Sequence, residues 1–259
     1  MPALANGWEI AVGGIYAQSE STFTGYLLNG AGTIDLDFER DFRLTENSFL
    51  PQFSVGYGFR DRHHVSLSYF RLHREGSQSR VTEAFEFETD EGVYQVQAGG
   101  QLTTRLNYDI YRLNYAYDVY QADTLGLSVN GGLHVIPVEL AFEGAIAACV
   151  NDTCTSNVQR VVSQSITAPL PNAGLHANWV FAPDWALSGG AQFFYLEFED
   201  ITGLMTDVSA QVNYTINPHW QVGLGYGLYL VQVEQQLSRR ELEVDVRIQG
   251  STLNLQYTF

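Results

Sequence analysis

The sequence predicts an all-β protein: a transmembrane antiparallel up-and-down β-barrel of about ten strands, with residues 1–259 forming a single domain. Many segments alternate apolar and polar residues, which is the period of a strand whose two faces differ. The connections between these segments are alternately tight and long. No segment reaches the roughly 20 consecutive apolar residues that a membrane helix needs. Alternating strands with uneven connections are typical of barrels that cross a membrane.

The composition agrees with this fold class. Aromatic residues make up 13% of the chain and charged residues only 16%, whereas soluble domains usually carry roughly 25% charged residues. The net charge is -16 and all 13 basic residues are Arg. An acidic chain is a poor partner for nucleic acid, because phosphate backbones bind clustered cations. We therefore expect no nucleic-acid partner.

The first half of the chain predicts five strands. They cover residues 7–17, 49–59, 64–74, 112–118 and 125–142. Residues 18–48 and 75–101 are polar and are predicted as long loops, although Ile34, Leu36 and Phe38 alternate with acids and indicate an extended stretch. Pro137 predicts a bulge or a local loss of pairing in the fifth strand, because proline has no N–H to donate to a ladder.

The second half of the chain predicts five more strands. They cover residues 174–181, 185–195, 204–216, 220–229 and 251–259. The sixth strand is the least regular, because Pro169 and Pro171 interrupt its beginning. A different assignment of strands within the long loops and around the sixth strand would give about eight or about twelve strands instead of ten.

The lengths of the connections differ between the two ends of the predicted barrel. On one end all are tight, and these turns are Arg60–Arg62, Gln121–Asp123, Ala182–Asp184 and Asn217–His219. On the other end lie all the long or variable connections. Short turns on the periplasmic side and longer external loops are the known arrangement of outer-membrane barrels.

The last nine residues, S-T-L-N-L-Q-Y-T-F, alternate up to the terminal Phe259. This ending resembles that of bacterial outer-membrane β-barrel proteins. The resemblance implies an outer-membrane location, both termini in the periplasm, contact with outer-membrane lipids and lipopolysaccharide, and recognition of Phe259 by the barrel-assembly machinery. Ala3-Leu4-Ala5 has the form of a signal-peptidase site without a preceding apolar region, so we expect a mature chain. The first and last strands should pair, since a membrane barrel leaves no open edge.

Alternation also predicts which polar residues face the lumen. The expected polar network consists of Glu9, Arg112, Asp118, His134, His176 and Asp207. A buried charge needs a partner, so Arg112 should pair with Glu9, Asp118 or Asp207. Many glycines share the inner parity and reduce the side-chain volume there. Both a polar plug and a narrow pore for small solutes are compatible with this set.

Other charged and sulfur-containing residues predict contacts outside the lumen. Arg71, Arg74 and Arg105 lie near the predicted external rim, where they could bind lipopolysaccharide phosphates or pair with loop acids. Cys149 and Cys154, in a polar loop, predict a local disulfide. No metal site is expected at Asp35 and Asp37, because same-face neighbours on a strand stand about 6.5 to 7 Å apart, too far to chelate one ion. No cofactor is expected either.

Two kinds of enzyme with small outer-membrane barrels resemble the predicted fold. Ten-stranded outer-membrane proteases use paired Asp residues and an Asp-His pair at the external rim. Here the D-x-D sequence at Asp35 and Asp37 and the D-x-H sequence at Asp61 to His63 are predicted at opposite ends. Outer-membrane lipid-modifying enzymes need a His beside a Ser, for which the rim offers His73 with Ser77 or Ser79.

From these observations we expect no catalytic residues and a structural or narrow-pore role, with acidic external loops facing the medium. The alternatives are a selective channel for small or hydrophobic solutes and a rim-active lipid-modifying or proteolytic enzyme.

Overall fold

The computed structural model of the chain describes residues 7–27, 32–80, 84–89, 92–97, 101–150, 153–154, 158–198, 201–236 and 241–259. The described strands are β1 Gly7–Leu27, β2 Thr33–Asp37, β3 Asn47–Phe59, β4 His63–Arg80, β5 Phe85–Thr89, β6 Gly92–Val96, β7 Gln101–Gln121, β8 Leu125–Val150, β9 Thr153–Cys154, β10 Val158–Ala182, β11 Trp185–Phe198, β12 Ile201–Thr215, β13 Trp220–Gln236 and β14 Glu241–Thr258. This part of the chain contains no helix long and apolar enough to cross a membrane.

Ten of these strands close into an antiparallel barrel, as the sequence predicts. Each pairs with its neighbours in chain order, in the sequence β1, β3, β4, β7, β8, β10, β11, β12, β13 and β14. The first and last strands pair from Glu9 opposite Thr258 to Phe23 opposite Val244. The sheet is therefore closed by the predicted pairing of the chain's two ends.

The two ends of the barrel differ in the way the predicted loop lengths imply. The end with the tight turns, Gly7 and Phe259 is called the turn end, and the opposite one the loop end. At the turn end, Ala122 N donates to Leu125 O (2.8 Å) and Phe259 N donates to Trp8 O (3.0 Å). Arg60 and Asp61 adopt positive φ angles of 53° and 63° in the first tight turn. The short strands β2, β5, β6 and β9 lie at the loop end.

The strands extend much further towards the loop end than the sequence predicts. β1 continues through Leu27 and β7 begins at Gln101, so that large parts of the predicted loops are strand. β10 also runs without interruption through Pro169 and Pro171, which face Val135 and Leu133 of β8. Pro137 does cause the predicted loss of pairing, because the β7–β8 register lacks the two pairs between Tyr108–Val138 and Tyr111–Val135.

The half of the barrel next to the turn end has the polarity of a membrane span, and we call it the membrane half. Its outward side chains are apolar and exposed, among them Val12, Leu113, Leu175 and Leu253. Aromatic residues border this band on both sides, as in membrane barrels. The border at the turn end includes Trp8, Tyr57, Trp179, Trp185, Trp220 and Phe259, and the other includes Tyr16, Phe49, Tyr69, Tyr111, Phe193 and Tyr226.

Beyond the second aromatic border the polarity of the two faces is reversed. In this loop half the outward residues of β1 are Gln18, Glu20 and Thr22, while Phe23 points inward and is buried. The reversed faces form a core inside the barrel. It includes Leu72, Phe85, Leu102, Leu106, Ile110, Ile136, Leu140, Phe142, Ile146, Val162, Val231, Val233, Val244, Val246 and Ile248. The loop half is thus built like a soluble β-protein, with water outside and an apolar interior.

Two segments close the loop end over this core. The hairpin β5–β6 bridges the mouth, because β5 pairs with β1 and β6 pairs with β8 although three barrel strands separate them. The segment after β2 turns into the barrel and buries Phe38, Phe42 and Leu44. The Phe42 ring lies 5.4 to 6.1 Å from the rings of Phe38, Phe85 and Phe142.

The reversal predicts different responses to the same charge on two outward positions. Leu253 in the membrane half and Val161 in the loop half are both 58% exposed. We expect Leu253→Arg to lower the free energy of unfolding in bilayers by about 2–4 kcal/mol, because its guanidinium meets lipid. Val161→Arg should cost less than about 0.5 kcal/mol, since this position meets water. Urea unfolding in liposomes measures both, and equal costs would refute the boundary.

Candidate functional site

The barrel interior is crossed by an ion pair between opposite walls. Arg112 on β7 and Asp207 on β12 place Nη1 and Oδ2 3.0 Å apart, and their side chains are only 20% and 16% exposed. Both residues have the inward parity of their strands, so their meeting requires the walls to approach each other. Of the three predicted partners of Arg112, the structure selects Asp207.

Aromatic rings hold the Arg112 guanidinium. Its Cζ lies 4.6 Å from the centre of the Phe70 ring and 4.9 Å from that of Tyr229. Phe70 and Tyr229 also contact each other edge to face at 5.9 Å. A guanidinium is planar and weakly hydrated, so it can combine an ion pair with ring contacts in a confined space. We call Phe70, Arg112, His134, Asp207 and Tyr229 the cross-barrel cluster.

His134 joins the cross-barrel cluster through its contact with Tyr229. His134 Nδ1 lies 3.0 Å from the Tyr229 hydroxyl, and their rings stack at 5.9 Å. The Tyr229 hydroxyl is also 3.5 Å from the Met205 sulfur. His134, Met205 and Tyr229 are all buried. At this level the lumen is filled by side chains from both sides.

The other predicted lumen residues belong to separate contacts near the turn end. Asp118 accepts hydrogen bonds from Ser128 Oγ (2.6 Å) and Gln121 Nε2 (2.7 Å), and it lies 3.0 Å from His64 Nε2. Glu9 accepts one from Gln256 Nε2 at 3.0 Å. The predicted set is therefore distributed over several groups.

Near the turn end the inward positions include a glycine and two histidines. A Cβ on Gly56 would stand 2.5 Å from Glu9 Oε1, so this glycine makes room for the carboxylate. His176 is on the inward parity of β10 but is exposed and has no hydrogen bond or ion pair within the described residues. His64 was not among the predicted network residues, although its inward parity on β4 would have indicated it.

Arg74 lies inside the barrel, which corrects the expectation that it contacts lipopolysaccharide. Its guanidinium is fully buried, forms an ion pair with Glu39 and donates to Ser21 Oγ at 2.6 Å. Ser21 N donates to Glu39 Oε2 at 2.9 Å. This pair ties the segment after β2 to the barrel wall at β4, at the level of the core residue Leu106. Burial raises the pKa of Glu39, and the Arg74 charge offsets part of that effect.

Arg71 and Arg105 are on the outward face of the loop half. Arg105 pairs with Glu75 (2.8 Å) and Glu143 (3.3 Å), and these acids raise the pKa of its guanidinium. Arg71 is exposed and has no ion pair within the described residues. Nearby, Asp109 accepts from Tyr69 and lies 3.2 Å from His73 Nε2.

The candidate catalytic and metal residues are not brought together in the part of the chain that is described. Asp35 and Asp37 are on β2 at the loop end, whereas His63 begins β4 at the turn end. The side chains of Ser77 and Ser79 lie outside the described residues. No group of three metal-ligating side chains occurs among the described ones.

Cys149 and Cys154 are directly opposite each other in the backbone pairing of β8 and β9. Their side chains lie outside the described residues, so the disulfide stays a prediction.

Comparison with known proteins gives structural neighbours only. No protein-family model matches the chain, and no curated protein sequence does either. The outer membrane protease OmpT from Escherichia coli is 11% identical and aligns over 100% of this chain and 98% of its own, with a TM-score of 0.61. Ail of Yersinia pestis is 12% identical over 98% and 99% of the two chains, with a TM-score of 0.37. The toluene transporter TodX of P. putida is 10% identical over 98% and 90%, with a TM-score of 0.38.

This chain has the fold of a bacterial outer-membrane β-barrel, which it shares with the outer membrane protease. At 11% identity the likeness to the protease concerns the fold alone.

The cross-barrel ion pair predicts a strong and mutual dependence of its two residues. Arg112→Met or Asp207→Asn should each lower the free energy of unfolding in liposomes by about 3 kcal/mol, because either change leaves a largely buried charge alone. Arg112→Met combined with Asp207→Leu should cost much less than twice that, since an apolar pair leaves no lone charge. The exposed pair Arg247–Glu20, with N–O separation of 3.7 Å, is the control and should couple by less than about 1 kcal/mol. Additive costs for Arg112 and Asp207 would contradict this.

Proposed function

We propose that the protein is a sealed, structural β-barrel of the bacterial outer membrane that carries a rigid acidic surface beyond the bilayer. The observation that supports this most is the filling of the interior at two successive levels. The cross-barrel cluster spans the lumen at the border of the membrane half, and the apolar core occupies the loop half. An ion would have to displace the Arg112–Asp207 pair and then pass an apolar core in which the charges of Arg74 and Glu39 are already paired with each other.

We also propose an orientation with the turn end and both termini in the periplasm. The terminal Phe259 is exposed at this end, where the barrel-assembly machinery could reach it. The loop half then faces the medium, and its outward acids, such as Glu20, Glu139 and Glu143, belong to the excess of negative charge. A cross-strand Cys149–Cys154 disulfide would reinforce the tip, which lies in an oxidising compartment in this orientation.

Lipopolysaccharide is the lipid partner that we propose for the outward rim. Arg71 and Arg105 lie beyond the aromatic border on the outward faces of neighbouring strands, Arg71 opposite Asp109 and Arg105 further out, opposite Glu75. A guanidinium binds phosphate oxygens through two parallel hydrogen bonds. Glu75 and Glu143, which pair with Arg105, could approach the same phosphates through divalent cations.

A second candidate function is passage of small apolar solutes. A cavity of about 30 Å³ lies in the apolar core, where Val231, Val233, Val244 and Val246 face Tyr108 and other residues of the opposite wall. Short β-branched side chains leave this space, whereas aromatic rings fill the neighbouring part of the core. An apolar solute would not have to leave a polar partner behind, so this interior favours apolar over polar cargo.

The sealed interior predicts that the purified barrel does not conduct ions. Planar bilayers containing the protein should show no current steps above baseline, while a porin inserted under the same conditions should. Reproducible steps would refute the sealed barrel.

Filling the cavity distinguishes the structural function from the apolar channel. The measurement is uptake of a small aromatic such as toluene into proteoliposomes. If the barrel is structural, Val231→Phe and Val246→Phe should leave this uptake unchanged. If the cavity lies on a solute path, both substitutions should lower it. Any saturable uptake that these variants abolish would favour the channel over the structural role.

The proposed orientation predicts which positions react with a membrane-impermeant thiol reagent. In a background in which Cys149 and Cys154 are replaced by Ser, Ser165→Cys should be labelled on intact cells. Asp123→Cys, in a tight turn, should be labelled only after the outer membrane is permeabilised. The opposite pattern would reverse the orientation.

A further inference from the structure

The outward wall beyond the aromatic border carries a groove that the sealed-barrel function does not use. It has a volume of about 460 Å³ and runs across β4, β7, β8 and β10. Its polar residues include His73, Asn107, Asp109, Glu139, Ser165 and Thr167. We call it the rim groove. Its volume falls within the roughly 300–1,000 Å³ of small-molecule sites.

Pro137 is the backbone feature on which the rim groove is centred. It lines the groove and stands where the pairing of β7 and β8 is interrupted, opposite Asp109. Proline has no N–H to give to a ladder, and the pairs Asp109–Pro137 and Ile110–Ile136 are absent from the β7–β8 register. The groove therefore lies at an interruption of the sheet and is lined there by the apolar ring of Pro137.

Hydrogen bonds hold the polar side chains of the groove in fixed positions. Asp109 accepts from the Tyr69 hydroxyl through Oδ1 (2.6 Å), and its Oδ2 lies 3.2 Å from His73 Nε2. Asn107 Nδ2 donates to Glu139 Oε2 at 3.2 Å. One oxygen of Asn107 and one of Glu139 remain to accept from a ligand, and one nitrogen of the His73 ring remains to exchange a proton or a hydrogen bond.

The far wall of the groove consists of hydroxyl groups. Ser163, Ser165 and Thr167 are successive outward residues of β10 and are exposed. The register sets Asn107, Glu139 and Ser165 side by side on three adjacent strands. An amide, a carboxylate and a hydroxyl thus lie in one row at the strand spacing of roughly 4.8 Å.

We propose that the rim groove binds one or two neutral sugar residues of a saccharide. Neighbouring sugar hydroxyls both donate and accept, which the row of amide, carboxylate and hydroxyl groups can match. Asp109 and Glu139 repel anionic ligands at the centre of the groove, whereas Arg71 and Arg105 lie at its margin. The saccharide could belong to a glycolipid of the same membrane or to a polysaccharide in the medium. This source, but not the binding itself, rests on the proposed orientation.

Binding is tested on the purified full-length barrel in detergent. Glucose, galactose, N-acetylglucosamine and lactose are titrated and followed by saturation-transfer-difference NMR. Asn107→Ala with Glu139→Gln should weaken binding of the recognised sugar about tenfold, which corresponds to the loss of two hydrogen bonds. Pro137→Val, which restores a ladder N–H, should also weaken it.

The opposite wall supplies a matched control. Gln232 and Asp245 are likewise an amide and a carboxylate paired across adjacent strands on the outward face. Gln232→Ala with Asp245→Asn should leave sugar binding unchanged. No saturable binding of any of the four sugars, or equal weakening by the control variant, would overturn the proposal. Neither result bears on conductance, so the sealed barrel is judged separately.

Retention of lipids identifies the source of the sugar. Lipopolysaccharide with its core saccharide and lipid A alone are compared for retention by the immobilised barrel. Retention of lipid A should depend on Arg71 and Arg105, and the gain from the core sugars should depend on Asn107 and Glu139. Such a gain assigns a membrane glycolipid, and binding of free sugars without the gain assigns a soluble polysaccharide.

Discussion

The rest of the structure depends on the pairing of the first strand with the last. Lipid offers no partner to a main-chain N–H or C=O, so a sheet that crosses a membrane must have no edge. Here β1 and β14 supply that closure over Glu9–Phe23. Once the sheet is closed with ten strands, its circumference limits the width of the interior. Every inward side chain must then fit that width.

The outer environment determines how each half fills this interior. In the membrane half lipid requires apolar outward residues, and strand alternation leaves polar side chains and glycine inside. In the loop half water surrounds the wall, and the same alternation places Phe, Leu, Val and Ile inside. One continuous strand such as β1 serves both environments because the assignment of polar and apolar residues to its faces is exchanged midway.

The sequence allowed the membrane half to be predicted and obscured the loop half. Strand number, closure, tight turns and inward parity follow from local alternation. The polar residues Gln18, Glu20 and Thr22 were interpreted as loop because a strand with a wet outer face and few aromatics resembles a polar connection. Arg74 could have been placed correctly, since the parity of Val65, Leu67 and Tyr69 puts residue 74 inside.

The partners of the buried charges could not be predicted in the same way. Arg112 could have met Glu9, Asp118 or Asp207, and the choice depends on barrel diameter and on the stagger of strands far apart in sequence. The Glu39–Arg74 pair depends in addition on the path of the segment after β2, because the strand ends at Asp37 although the alternation of apolar residues and acids continues to Glu39. Parity decides which face a side chain occupies, and only the closed geometry decides what it meets there.

The position of Arg112 explains how a polar and an apolar filling can meet inside one barrel. Towards the turn end its surroundings are polar, and towards the loop end the same wall continues with Ile110 and Ile136. A guanidinium satisfies both sides, because its edge pairs with Asp207 while Phe70 and Tyr229 contact its faces. A lysine ammonium offers no planar face and is more strongly hydrated, so it would need water where the lumen is filled. The requirement for Arg at this level therefore follows from the reversal of polarity itself.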